Sequence, residues 1–344
     1  MHENENRKDA NAMGIKMKEN YKRMLESKRI NILNCLYIFS MCMFLLTACE
    51  SNKMPENSYE QPVNTITPNL TIESSSNIQE TELPDENVNT NDKPRKSLIF
   101  PDGKTIVERF DVPFGFTRVK PEEESFGYYL QNLPLKPDGT RVKYYDGREK
   151  IKDVYLAVVD FSLGDRDLQQ CADGVIRLRA EYLYAKERYD EIHFNFVSGF
   201  NAEFSKWAEG NGISVKGNKV SWNLNNNNNS SYDSFQKYLN MVYAYASTLS
   251  LEKELIEKHF SKLDIGDVFI QGGSPGHCVI VVDMAVNETT GEKLFMLAQS
   301  YMPAQDIQIL IGDSQDSPWF SSNIEDTLKT PEWTFEVSDL KTWE

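Results

Sequence analysis

Residues 266–286 read Gly-Asp-Val-Phe-Ile-Gln-Gly-Gly-Ser-Pro-Gly-His-Cys-Val-Ile-Val-Val-Asp-Met-Ala-Val. Two β-rich runs, Asp267–Gln271 and Cys278–Val286, are parted by a turn of glycine, serine and proline. The second run is too uniformly apolar for a strand with one wet face, so it is expected to be buried. Asn287 to Glu292, with Gly291, reads as a hairpin loop leading into a strand Lys293–Ser300. A further strand is expected over Asp306–Ile311. If Val286 pairs near Glu292, antiparallel register carries His277 opposite Tyr301 and brings Gln299 and Ser300 within reach of the imidazole.

Upstream the pattern changes. Cys171, Val175, Leu178 and Tyr182 recur at spacings of four, three and four, which predicts one face of a helix from Leu168 to Lys186. Asp167 is its expected N-cap, with Gln170 three residues later as in a capping box. Further helices are predicted over Phe126–Leu133, Tyr232–Ser247 and Leu251–Phe260. Short strands are predicted over Ile106–Val112, Arg141–Tyr145, Val154–Asp160 and Ile192–Val197. The Asn tract 223–229 reads as an exposed loop. Helices first and antiparallel strands afterwards give an α+β class: a helix layer packed on a C-terminal antiparallel sheet.

The N-terminus carries a different kind of information. Lys16, Lys18, Lys22, Arg23, Lys28 and Arg29 form a basic run before the apolar stretch Ile30–Leu46, which ends in Leu46-Thr47-Ala48-Cys49. A basic region, an apolar core and small residues before a cut site define a secretory signal. The tetrad ending in Cys49 resembles a bacterial lipobox, which implies cleavage before Cys49, lipidation there, and an extracytoplasmic chain anchored to the membrane. The apolar stretch is also about as long as the shortest spanning helices, and the lipobox favours the lipid anchor. Residues 49–96 are rich in Asn, Ser, Thr, Glu and Pro and lack an apolar period, so they read as a disordered tether. Residues 97–344 read as one globular domain.

The net charge of -15 includes about +3 from residues 1–48, leaving about -18 on the rest. Such a chain repels phosphate backbones, and nucleic acid is not an expected partner. Of the five cysteines, only Cys171 and Cys278 fall in the expected domain. Neither they nor the few histidines are spaced as metal ligands, and no metal or other cofactor is expected.

Cys171 falls near the start of the long helix, where free amides and the dipole favour a thiolate. His277 stands at the mouth of the buried strand, beside glycines that allow close approach. These residue types suit nucleophilic catalysis, with Gln299 or Ser300 orienting the imidazole and Gln169 or Gln170 donating to an oxyanion. Three readings of Cys171 stand side by side: nucleophile, small buried core residue, or disulfide partner of Cys278. Neighbouring strand residues face opposite ways, so if His277 faces Cys171, Cys278 is expected to face away and to be inert. His193 and His259 read as structural. Asp283 lies on the His277 strand, about 20 Å along it, too far to be a triad acid. Trp207, Trp222 and Trp319 are the candidates for a sugar or peptide groove, though tryptophan is as a rule largely buried.

The order of a helix-borne Cys171, a strand-borne His277 and a polar group on the next strand resembles the papain-like cysteine peptidases and amidases, including CHAP-type and related cell-wall amidases. Asp267–Ile270 followed by Gly276–Val282 carries that likeness. Ala172 stands where many of those enzymes have an aromatic residue, and Gln299 or Ser300 where Asn, Asp or His is usual. The stretch from Val112 to Trp319 also resembles an uncharacterised family of bacterial lipoproteins, through Asp167–Asp173, Gly272–His277 and Leu297–Gln305. The resemblance implies a cysteine amidase or peptidase acting on cell-wall peptide or another extracytoplasmic substrate. The alternative is a non-catalytic surface module that binds glycan, peptide or protein.

Overall fold

A computed structural model describes residues 97–344. The basic run, the apolar stretch, Cys49 and the tether lie outside the described residues. The organising element is the strand His277–Val286, and its apolar run reflects cover on both faces. Cys278, Ile280 and Val282 share a core with Val175, Ile176 and Leu178 of the long helix. Val279 and Val281 pack instead with Phe269, Phe295, Leu297 and Phe335.

Around this strand lies an antiparallel sheet of nine strands. Its main path runs Tyr155–Val158, Gln308–Leu310, Lys293–Gln299, His277–Val286, Val268–Gln271, Leu340–Thr342, Ile256–Glu257. Thr117–Arg118 pairs with the far end of His277–Val286, and Trp319–Ser321 with the start of Lys293–Gln299. The hairpin register shifts between Met296 and Leu297, a bulge of the kind that re-aims side chains. Beyond it Leu297 pairs with Val281 and Ala298 with Ile280. Continued to the strand ends, that register sets His277 opposite Tyr301, and the two rings lie 4.6 Å apart. A small hairpin of Thr327–Lys329 and Thr334–Glu336 covers the face opposite the long helix through Leu328 and Phe335.

Six helices accompany the sheet among the described residues. The long one runs Cys171–Ala185, later at its start than the sequence predicts. Its N-cap is Gln170 rather than Asp167, and the reciprocal partner of the capping box is Asp173. Asp167 is engaged elsewhere, accepting the Ala304 amide at 2.7 Å and the Gln170 side-chain amide at 3.1 Å. Cys171 thereby becomes the first helical residue, where backbone N–H groups lack intrahelical partners.

Other elements differ from expectation for local reasons. Ile106–Arg109 is a helical turn capped by Thr105 rather than a strand. The predicted helix over Leu251–Phe260 is instead Thr248–Glu254, ending before the β-branched Ile256 joins the sheet edge. Arg141–Tyr145 forms only isolated bridges. Residues Asn211–Lys216 and Lys219–Leu224 form a hairpin that the apolar pattern does not announce, because it is polar and half-exposed. Trp207 and Trp319 are core residues, their indole N–H groups bonded to Ser234 Oγ and the Asp111 carbonyl, so neither lines a groove. Among the described residues no helix is long and apolar enough to cross a membrane.

The long helix meets the sheet closely at Gly174. A Cβ there would lie 2.9 Å from Ser300 Cβ. Replacing a helical glycine by alanine ordinarily stabilises by about 1 kcal/mol. Here the clash reverses the sign, and Gly174→Ala is expected to destabilise by about 1–3 kcal/mol, lowering Tm by about 2–10 °C. Thermal unfolding measures this; an unchanged or higher Tm would show that the helix can shift away from Ser300 freely.

Candidate functional site

The helix start, the mouth of the buried strand and the end of its neighbour converge on Cys171. The groups that act on its thiol are those of Cys278, the His277 ring and the Ala172 amide. The neighbouring Cys278 thiol contributes most, and with the other two groups it holds the Cys171 thiol down to about 5, against burial, which raises it. Burial pushes Cys278 well up, so it keeps its proton and donates it. Fully buried Asp173, two residues on, is also pushed well above the carboxylate range, by burial first and by Cys171 in addition.

Both cysteines are free, so the disulfide is not formed, but Cys278 does not face away from Cys171. Side-chain alternation misleads here for a definable reason. Cys278 lies on the helix-facing side of the sheet, where Cys171 also sits. His277 is the terminal residue of its strand, where alternation no longer ties the ring to one face. The ring is 1 % exposed and has Tyr301, Trp333 and Phe335 around it at 4.6, 5.4 and 5.9 Å between centroids.

Of the two candidates for orienting the imidazole, the structure brings only Gln299 to it. His277 Nε2 donates to Gln299 Oε1 at 2.9 Å. Ser300, fully buried, turns away: its hydroxyl lies 3.0 Å from the Gln169 carbonyl and 2.8 Å from the Gln305 carbonyl. It braces the approach to Cys171 against the loop after Tyr301. Gln169 is likewise occupied. Its Oε1 accepts from Arg177 Nη1 at 2.5 Å, and its Nε2 donates weakly to the Gln305 carbonyl at 3.4 Å. Gln170 remains at the helix entry, half-buried, donating to Asp167. Asp283 belongs to a separate cluster, 2.7 Å from Gln131 Nε2 and 3.0 Å from Arg118 Nε. His193 pairs with Glu254 at 3.4 Å on the surface, and His259 bonds Ser261.

Four residues that sequence reasoning missed complete the surroundings. Gln299 Nε2 donates to Glu332 Oε2 at 2.7 Å, and Lys150 Nζ reaches the same oxygen at 2.6 Å. Trp333 lies tilted against His277 and donates from Nε1 to Gln271 Oε1 at 2.9 Å, while Phe335 stacks on the ring. The signal that could have found them is the turn Thr330-Pro331-Glu332-Trp333 between two short strands, although nothing in its spacing points to His277. A cavity of about 810 Å³ lies elsewhere, lined by residues including His259, Phe260, Lys293 and Val337, and its lining contains none of Cys171, His277 or Gln299. Among the described residues no group of three His, Cys, Asp or Glu is placed to hold a metal ion.

The arrangement can supply a thiolate, a neighbouring imidazole and a partner that fixes the far ring nitrogen. Alkylation of Cys171 by iodoacetamide, followed by mass spectrometry, is expected to rise with pH through a midpoint near 5. His277→Ala is expected to move that midpoint upward, because the ring favours the thiolate. His193→Ala, on the surface, is expected to leave it in place. Preferential labelling of Cys278 would contradict the assignment of the reactive sulfur.

No curated protein and no solved structure shows significant similarity to the chain. A family model described as domain of unknown function (4846) matches residues 106–342, from the first helical turn to the last strand of the sheet. The chain belongs to this family of domains of unknown function.

Proposed function

We propose that the domain is a cysteine hydrolase with a papain-like disposition of groups, cleaving amide bonds in cell-wall peptide or a comparable extracytoplasmic substrate. The observation that carries this reading is a helix-opening thiol whose ionised form a neighbouring imidazole favours, the imidazole being bonded through Nε2 to a buried amide. Depression of the thiol to about 5 supports it, since the thiolate is the attacking species.

In this reading the Cys171 thiolate attacks the carbonyl carbon of the scissile amide. The oxyanion that forms is held by the free N–H groups opening the helix, with the adjoining Gln170 amide as side-chain donor. The His277 imidazolium passes a proton to the departing nitrogen, the C–N bond breaks, and an amine leaves behind a thioester. Neutral His277 then takes a proton from water, hydroxide adds to the thioester, and the carboxylic acid leaves as Cys171 recovers the thiolate and His277 the proton. Gln299 keeps the Nε2 proton in place throughout. The aromatic cover of Tyr301, Trp333 and Phe335 lowers the polarity around the Nε2–Gln299 bond, which strengthens it.

A second reading has one observation in its favour: the Cys171 side chain is buried, at 9 % exposure. A module that binds glycan or peptide without cleaving it would need no more. Incubation of the mature protein with soluble cell-wall peptides, with mass spectrometry of the products, separates the two. The hydrolase predicts paired fragments bearing a new amine and a new carboxylate, and their loss in Cys171→Ala. Binding with no wild-type cleavage would favour the module.

We also propose that Cys49 carries a lipid that anchors the domain outside the cytoplasm. The lipobox after the basic and apolar run supports it. Cys49→Ala is expected to abolish labelling by a fatty-acid analogue, and an unchanged label would refute the anchor.

A further inference from the structure

We propose that Glu332 is a positioning residue of the Cys171–His277 site: its carboxylate decides which end of the Gln299 amide faces His277, and so which ring nitrogen stays free to accept a proton. This rests on the hydrolase reading and adds to it a residue from outside the three convergent elements.

The argument starts from the ambiguity of a glutamine. Its side chain carries a donor and an acceptor of nearly equal size, and rotation by half a turn exchanges them. A glutamine that orients an imidazole must itself be oriented, unlike a carboxylate. Glu332 can only accept, so at 2.7 Å from Gln299 it takes the NH₂ end. Oε1 is then left for His277 Nε2 at 2.9 Å, and an acceptor there requires that Nε2 carry the proton. In the neutral ring the proton-accepting nitrogen is therefore Nδ1. In the imidazolium, the Nε2 proton keeps a partner.

Lys150 makes the carboxylate necessary. Its ammonium is almost wholly buried and lies 2.6 Å from the Glu332 oxygen that Gln299 also uses. Lys152 approaches the other oxygen at 3.7 Å. Without Glu332, the group that shared its oxygen with Gln299 is the Lys150 amine, a donor, which draws Oε1 toward itself and turns the NH₂ toward His277. Nε2 then faces a donor, the tautomer inverts and the imidazolium loses its acceptor. The other titratable groups near the pair are Cys278 and Asp173 on the helix side and Tyr301 above the ring. None of them acts on Gln299 as Glu332 does.

The test measures the pH dependence of Cys171 alkylation in the wild type, Glu332→Ala, Gln299→Glu with Glu332→Ala, and His277→Ala, with Tm recorded for each. Glu332→Ala is expected to raise the midpoint by about one pH unit or more, and each unit lowers the reactive fraction below the midpoint about tenfold. Gln299→Glu in the same background is expected to restore the wild-type profile, since a carboxylate at that place accepts from Nε2 whichever way it turns. A merely structural loss would not be rescued so. If Glu332→Ala does not fold, Glu332→Gln keeps the volume, and ¹⁵N shifts of the His277 ring report the tautomer directly: Nε2–H in the wild type, and a mixture in the variant. A wild-type profile in Glu332→Ala, no rescue by Gln299→Glu, or an unchanged tautomer in Glu332→Gln would overturn the inference. A shift in His277→Ala with none in Glu332→Ala would remove Glu332 alone. No shift in His277→Ala would remove the hydrolase reading itself.

Discussion

The close seat of the long helix on the sheet, with a glycine at the point of contact, governs the geometry of this domain. Where Gly174 meets Ser300, backbone and side chain approach to a distance that leaves no room for a methyl group. That approach brings the first helical residue down to the level of the strand mouth. Cys171 then meets Cys278 and His277 at once. Ser300 tightens the same junction by linking the residues before the helix to the loop after its own strand. The Ser300 hydroxyl, which a buried contact would otherwise strand, is satisfied across it by two carbonyls.

From that junction a chain of unlike groups runs through the sheet: thiol, imidazole, amide, carboxylate, ammonium. Each is buried or nearly so, and the bonds from the imidazole onward lie between 2.6 and 2.9 Å. Buried polar groups arranged this way fix one another's orientation, because an unpaired member is costly in a dry interior. The aromatic rings of Tyr301, Trp333 and Phe335 supply the dryness. Cys278 acts at the other end. Its proton supports the charge on Cys171, and its own ionisation is opposed by burial.

Much of this was legible in the residues. The apolar run after His277 announced a strand covered on both faces, and the spacing of Cys171, Val175, Leu178 and Tyr182 announced a helix. The hairpin through Asn287 and Gly291 carried the expected register to about Tyr301, although Val286 pairs with Lys293 and only the bulge after Met296 brings Tyr301 opposite His277. These are local signals, written in periodicity and turn chemistry over a few residues. The helix start was less legible, since Asp167 and Gln170 form a credible cap by themselves. Only the loop at Ala304, drawing on Asp167 from far along the chain, moves the start to Cys171.

The sequence by itself determined the two candidate groups and the elements that carry them, because a helix N-terminus and a glycine-rich turn need no distant partner to be recognised. Tertiary structure alone decided that Gln299 rather than Ser300 meets the imidazole, that Cys278 touches Cys171, and that Glu332 and Lys150 stand behind the amide. Lys150 and Glu332 are 182 residues apart and belong to different parts of the fold. Which way a glutamine turns, and which face a strand's terminal residue uses, depend on what is packed beside them. Those neighbours are fixed by the folding of the whole domain, and no local spacing encodes them.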